Sequence, residues 1–407
     1  MELLFAGAAP DLYPGRCLNR RHAGAGCTRC VDGCPVQAIT FDGVTPQLDA
    51  DACVRCGLCV PTCPTDCFVP AVAYERKLCE TVAALPPTPI ALVCAAHPAP
   101  AQSAAKVEAV VQHRRCLAAL AIADLLEMAA GGARPLWLDD RPCTDCPIGA
   151  AQATLVRTVD AARTLLHASG HSPAILLHSE RPPASDAKAR RVPLYDGAQP
   201  EISRRVLFAR LRPPLTGEDA PPVLDDLVQR GAPLSARLPQ QTPASRRRLL
   251  AALALQQSAA DGDLPAAHTP FGAVEIGAAR CSACGLCARF CPTGALQFAS
   301  SDEQFTLSFY AAACIDCVIC TVACPEGAVR MGAAASLDAI LRDEATICVA
   351  GALTPCAVCG VATRADANAQ TVRCHVCRQG AGAVTSLRDE AGLMADLLKR
   401  SAHPRYE

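Results

Sequence analysis

Two runs of twelve residues leave this chain few ways to fold around them. C-S-A-C-G-L-C-A-R-F-C-P begins at Cys281 and C-I-D-C-V-I-C-T-V-A-C-P begins at Cys314. Both read C-x2-C-x2-C-x3-C-P, the spacing that wraps a short loop around one face of an iron-sulfur cube and sends the fourth thiolate to a neighbouring cube. A single C-x2-C would be compatible with a zinc knuckle or a thiol-redox site, whereas eight cysteines in this double register point to two clusters. The proline after each fourth cysteine stops the loop from running on as a regular helix. Gly285 and Gly294 suit tight wrapping, and the loop amides can donate to cluster sulfurs. A disulfide framework would require an exported chain, and the first residues do not read as a signal peptide.

Residues 271–331 resemble bacterial-type dicluster ferredoxins. The resemblance implies one 4Fe-4S cluster on Cys281, Cys284, Cys287 and Cys324, and a second on Cys314, Cys317, Cys320 and Cys291. The pseudo-repeats T-G-A-L-Q-F and E-G-A-V-R-M look like the turn and strand that follow each loop.

A related unit runs over about residues 12–72. Its second half, C-V-R-C-G-L-C-V-P-T-C-P, is complete with Cys53, Cys56, Cys59 and Cys63. Its first half has Cys27, Cys30 and Cys34 in register, but Gly24 occupies the position of the leading cysteine. Cys17 lies upstream in a basic, glycine-containing loop that can return a thiolate to the open iron. A 3Fe-4S cluster, His22 as ligand, or Cys67 are the alternatives. By the crossed rule one cluster uses Cys27, Cys30, Cys63 and Cys17, and the other uses Cys53, Cys56, Cys59 and Cys34.

At 407 residues the chain is long enough for several domains, so it is more than a lone ferredoxin. Lys plus Arg total 38 against 39 Asp plus Glu, which does not indicate a nucleic-acid partner. Its 27 cysteines, mostly in C-x2-C pairs, indicate bound metal and a reducing, cytoplasmic setting. Apolar runs are broken by charges such as Asp124 and Glu127 before they could span a bilayer, so no membrane insertion is expected.

Between the two units the pattern changes. I-A-L-V-C, E-A-V-V-Q, P-L-W-L-D-D and A-I-L-L-H read as strands. Helical periodicity marks residues 117–130, ending at Gly131 and Gly132, and a second helix carries Leu155, Val159, Ala162 and Leu166. Alternation of this kind predicts a small parallel α/β domain with Cys94, Cys116, Cys143 and Cys146 along the carboxyl edge of its sheet. The layout over residues 86–182, including the C-P-I-G turn into a helix, resembles the delta iron-sulfur subunit of methyl-viologen-reducing hydrogenases. That resemblance implies a 2Fe-2S cluster on these four cysteines, although Cys94 stands alone where the family has a pair. Buried free thiols, or a redox disulfide between Cys143 and Cys146, are the competing readings.

Residues 183–270 are rich in Pro and Arg and read as a connector with helical patches at 202–211 and 245–256. The arginine run at 246–248 reads as a solvated helix start. Beyond it, T-P-C-A-V-C-G and V-R-C-H-V-C-R place Cys356, Cys359, Cys374 and Cys377 as two knuckles, the pattern of a structural zinc ribbon, with rubredoxin-like iron as the alternative. His375 is expected to stay off the metal, and a final helix is expected near 387–398. Cys67, Cys79 and Cys348 are left over as buried thiols, with Cys79 a fallback ligand for the central domain.

The fold class expected is therefore α/β and multi-module. Ferredoxin-like dicluster domains (α+β) occupy 1–78 and 271–335, the parallel α/β domain 86–182, the connector 183–270, and the zinc-ribbon-like knuckle with its helix 345–407. No phosphate-binding or dinucleotide-binding glycine motif is present, so no built-in nucleotide cofactor is expected, and no catalytic residues stand out. Many one-electron centres without a substrate site read as a wire. The chain is thus expected to be a non-catalytic subunit passing electrons between redox protein partners of a formate dehydrogenase, hydrogenase or similar complex. The alternative is an accessory or maturation factor for a molybdenum or other metalloenzyme.

Overall fold

The strand Ile90–Val93 is apolar at all four positions, and all four are buried, as a parallel strand covered on both faces must be. In the computed structural model it lies at the centre of a five-stranded, all-parallel sheet, in the order Leu194–Asp196, Ala109–Gln112, Ile90–Val93, Leu136–Leu138, Ile175–Leu177. The structure describes residues 4–5, 7–103, 105–129, 133–172, 175–180, 190–199, 238–256, 262–364 and 371–378. The helices Tyr74–Ala84, Ile122–Ala129 and Gln152–Ala168 bury their apolar stripes, Leu78 and Val82, Leu125 and Met128, and Leu155, Val159, Ala162 and Leu166, against one face of this sheet. The opposite face, Ala91, Val93 and Val110, is covered by Val107 and Val192.

Three features depart from the sequence reading. The single helix expected over 117–130 is interrupted at Leu120, whose backbone is extended (ψ 130°). A 3-10 turn, Leu117–Ala119, precedes the helix proper. The Asp124 carboxylate accepts from the Ala121 amide at 2.7 Å and so fixes the new helix start. Secondly, the stretch read as connector supplies the fifth strand, Leu194–Asp196, while the helical patch expected at 245–256 is present as the helix Ala244–Ala254.

Thirdly, the arginines at 246–248 are not a solvated helix start. Arg246 is buried, and Arg248 donates to Asp124 Oδ1 at 2.7 Å and to both Glu127 oxygens at 2.8 Å. A carboxylate as buried as Asp124 needs a cation, and this helix provides it. Leu249, Ala252 and Leu253 seal the contact, so one continuous core runs from the central sheet into the second cysteine-rich unit. The helix expected near 202–211, the glycine pair at 131–132 and the final helix near 387–398 lie outside the described residues.

Each cysteine-rich unit is a pair of antiparallel ladders around short helices. In the first, Asp11–Leu12 pairs with Phe68–Val69 and Ile39–Asp42 with Thr45–Leu48. In the second, Ala273–Ile276 pairs with Val329–Gly332 and Leu296–Ser300 with Gln304–Tyr310. The long strand Ala345–Pro355 then adds to Gln304–Tyr310 and pairs onward with Ala362–Arg364, so the C-terminal knuckles grow from the edge of the second unit's sheet. Among the described residues no helix is long and apolar enough to cross a membrane.

Candidate functional site

The C-x2-C loops turn through left-handed backbone, at Arg55, Gly57, Ala283, Gly285, Asp316 and Val318, which curls each loop so that its thiols point inward. In the second unit the sulfurs gather in crossed sets. Cys287 is pushed up to about 12, first by burial and then by Cys284, Cys281 and Cys324. Cys317 is pushed up to about 12 by burial and then by Cys291 and Cys314. Cys281, Cys284, Cys287 and Cys324 line one cavity, and Cys291, Cys314, Cys317 and Cys320 line another.

The first unit repeats the crossing. Cys56 is pushed up to about 11 by burial and then by Cys34 and Cys53, and Cys59 is raised by burial and by Cys56, Cys53 and Cys34. Cys30 is pushed up to about 12 by burial, then by Cys63, Cys17 and Cys27. The loop 17–27 therefore does bring Cys17 to the set that lacks its leading cysteine. Asn19 pins that loop, donating to Cys27 O at 2.9 Å and accepting from Cys27 N at 2.8 Å. His22 is engaged elsewhere, its ring set against Phe290.

Cys67 also joins this group. Its thiol donates to Tyr13 O at 3.2 Å and its amide to Cys63 Sγ at 3.3 Å. Hydrogen bonding from Cys67 brings Cys17 down to about 7 and Cys63 to about 6, while Cys67 itself is held protonated.

These donor sets fit iron-sulfur cores. Four thiols facing one another in a dry cavity resist ionising because the thiolates would repel, and the positive core supplies the missing attraction. Backbone amides are already aimed at the sulfurs: Ala38 N to Cys34, Cys67 N to Cys63 and Ala328 N to Cys324 are each 3.3 Å. Every such donor lies four residues after the cysteine that precedes proline, a regularity the spacing contained but the sequence reading did not use.

The central cysteines also converge. Cys94 follows Ile90–Val93, Cys143 and Cys146 follow Leu136–Leu138, and Cys116 precedes the 3-10 turn; all four line a cavity of about 370 Å³ at the carboxyl end of the sheet. Gly149 permits the turn that presents Cys143 and Cys146, since a Cβ there would lie 2.2 Å from Cys143 O. Burial raises Cys116 to about 12, with Cys94, Cys56 and Cys143 adding to it. Cys143 and Cys146 are not bridged. Beside them burial works against the ionised Asp139, but Arg141 and His97 (Nε2 to Oδ2, 3.1 Å) hold its carboxyl well below the usual range.

At the C-terminus the sulfurs of Cys356, Cys359, Cys374 and Cys377 all lie within 4.8 Å of one another, a set that can enclose one tetrahedral metal. Burial opposes ionisation of Cys356, yet the amides of Cys374, Cys359 and Val358 bring it down to about 6. Of the remaining thiols, Cys79 is placed against Asp124 (3.7 Å) and Arg248 (3.6 Å), which leaves it out of the central set. Cys348 is half-buried on Ala345–Pro355.

The comparisons with known proteins agree with the two cysteine-rich units. The 4Fe-4S dicluster domain family matches twice, over residues 25–67 and 280–328. A ferredoxin of Rickettsia felis is 42% identical over 43 residues, which are 11% of this chain and 39% of that ferredoxin. The chain thus spans about two-fifths of the length of that curated relative. No solved structure matches it. Two stretches of the chain are thus similar to 4Fe-4S dicluster domains, and a parallel-sheet domain lies between them.

Proposed function

We propose that this chain is an iron-sulfur relay in which five redox sites form one line. The line runs from the central set (Cys94, Cys116, Cys143, Cys146), as a 2Fe-2S site, to the 4Fe-4S set of Cys34, Cys53, Cys56 and Cys59. From there it passes through the sets of Cys17, Cys27, Cys30 and Cys63, then Cys291, Cys314, Cys317 and Cys320, and ends at Cys281, Cys284, Cys287 and Cys324. The iron-sulfur cores supply one-electron redox chemistry, and the protein fixes their spacing and surroundings.

The observation that supports this reading most directly is the seam between central domain and first unit. A Cβ at Gly57, between Cys56 and Leu58, would lie 2.9 Å from Arg115 Cδ and 3.0 Å from Ala119 Cβ, so the cluster loop rests on the segment that carries Cys116. Support for the next junction comes from Arg21, which reaches from the first unit to Phe290 O (3.0 Å) and Cys291 O (3.2 Å) of the second. Within the second unit Cys320 is raised by burial and by a field to which Cys287 of the other set contributes.

The partners are redox proteins, donor and acceptor subunits of an oxidoreductase of the formate dehydrogenase or hydrogenase kind, meeting the two ends of the line. The four knuckle cysteines hold a structural zinc that braces the far end. EPR of the fully reduced protein tests the line. Neighbouring reduced clusters give spin-coupled, broadened signals, whereas isolated single-cluster spectra would overturn it. Binding only to a cofactor-free enzyme, never in fixed ratio to a mature one, would favour the maturation factor instead.

A further inference from the structure

We infer that the cluster on Cys291, Cys314, Cys317 and Cys320 has a higher reduction potential than the clusters on Cys281, Cys284, Cys287 and Cys324 and on Cys34, Cys53, Cys56 and Cys59, raised by the half-buried Arg21 and the buried Arg246. The inference rests on the relay reading.

Arg246 is 4% exposed on the helix Ala244–Ala254. Its guanidinium lies 4.1 Å over the Phe271 ring and donates to Pro270 O at 2.9 Å, and its Nε has no partner. The same segment touches the cluster site: a Cβ at Gly272 would lie 2.9 Å from Cys314 Sγ. Arg21 approaches from the other unit. Among the described residues its hydrogen bonds go to main-chain carbonyls, of Leu238, Pro239, Phe290 and Cys291, and none to a carboxylate. A guanidinium keeps its charge at neutral pH even when partly removed from water, so both are cations here.

The acidic neighbour here is Asp316, in the loop between Cys314 and Cys317, and Arg29 engages it at 3.8 Å and donates to its carbonyl at 2.7 Å. Asp316 also acts on Arg246, so three guanidinium groups, of Arg21, Arg29 and Arg246, face one carboxylate and a net positive charge remains. Two of the other sets, those of Cys281 and of Cys56, are more nearly balanced. Cys281 feels Arg364 and Glu326 together, and Arg115, beside the Cys56 loop, is paired with Glu75 at 3.3 Å. Adding one electron makes a thiolate-held cluster more negative. An uncompensated buried cation favours that reduced form over the oxidised one and raises the potential.

The test is an EPR-monitored redox titration of the anaerobic, full-length protein with dithionite as electron source. Cys317→Ser marks the spectrum of this cluster, and Cys284→Ser and Cys56→Ser mark two others. The expected result is that the signal altered by Cys317→Ser appears on reduction before those altered by Cys284→Ser and Cys56→Ser. Arg246→Gln and Arg21→Gln each shift that potential downward and leave the others in place, while Arg246→Lys keeps it near its original value. Earlier appearance of the signal altered by Cys284→Ser or by Cys56→Ser overturns the inference, as does Arg246→Gln with full iron and sulfide and an unmoved potential. Should Arg246→Gln lose the cluster, the assignment in the unaltered chain and the Arg21→Gln shift still decide. Failure of the relay reading looks different: the iron and sulfide themselves fall short.

Discussion

The imidazole of His22 stands edge-on to the ring of Phe290, with centroids 4.9 Å apart and planes at 83°. His22 belongs to the loop that delivers Cys17, and Phe290 is the residue before Cys291, so this contact joins one cluster set of the first unit to one of the second. Gly24 reinforces it, since a Cβ there would meet Val322 Cγ1 at 3.0 Å. In a double-mutant cycle of His22→Ala and Phe290→Ala, denaturant melts should give a coupling energy of about 0.5–1.5 kcal/mol. Additive single variants would place the unit contact elsewhere.

Cys17 and Cys67 both reach the set of Cys27, Cys30 and Cys63, and their roles separate by substitution. With Cys17 as ligand and Cys67 as a protonated thiol donating to Tyr13 O, Cys17→Ser should lose one iron from that cluster and give the EPR signal of an oxidised 3Fe-4S centre. Cys67→Ala should keep all four irons and leave the cluster's potential close to its original value, because the bond to Cys63 Sγ comes from the Cys67 amide, which alanine retains. The reverse pattern would make Cys67 the ligand.

Whereas the crossing of each fourth thiolate was implied by the resemblance to dicluster ferredoxins, which thiols share a loop could be read from the sequence because that register is local, with spacing of two and three residues. The same was true of the central strands, where Ile90–Val93 is apolar throughout, and of the helix carrying Leu155, Val159, Ala162 and Leu166. What escaped were partnerships across long separations. Arg248 meets Glu127 across 121 residues, and nothing near residues 246–248 announces it. Leu194–Asp196 is too short and too mixed to read as a strand until Ala109–Gln112 is beside it. Cys79 looked available to the central domain only because its neighbours Asp124 and Arg248 come from elsewhere in the chain.

Burial raises the Asp124 carboxyl above its ordinary value even with Arg248 beside it. A carboxyl raised on folding stabilises the protein below its unfolded pKa, and that contribution is lost as pH rises through the folded value. Arg248→Leu removes the attraction opposing the rise and leaves a buried charge unpaired. The variant should lose about 3–5 kcal/mol at neutral pH. Relative to the unaltered chain it should recover part of that by about pH 5, and Asp124→Asn in the same background should remove the pH dependence. Denaturant melts at the two pH values check this; a loss independent of pH would contradict it.

The amides around Cys356 keep its thiol near 6, below its ordinary value, so the thiolate is available above that pH and is protonated as pH falls through it. Because the thiolates must be deprotonated to hold it, the proposed zinc should be bound at neutral pH and released on acidification, which a colorimetric zinc assay across pH follows. Cys356→Ala should abolish zinc binding while leaving the iron-sulfur signals intact. Loss of iron with the zinc would contradict a separate structural site.

The central claim is most directly tested by iron, zinc and acid-labile sulfide per chain on anaerobically purified protein, with Cys143→Ser measured alongside. The account predicts about eighteen irons and one zinc, falling to about sixteen irons in Cys143→Ser with the other clusters unaltered. About eight irons, with the cysteines of the first unit and the central set titrating as free thiols, would contradict the relay.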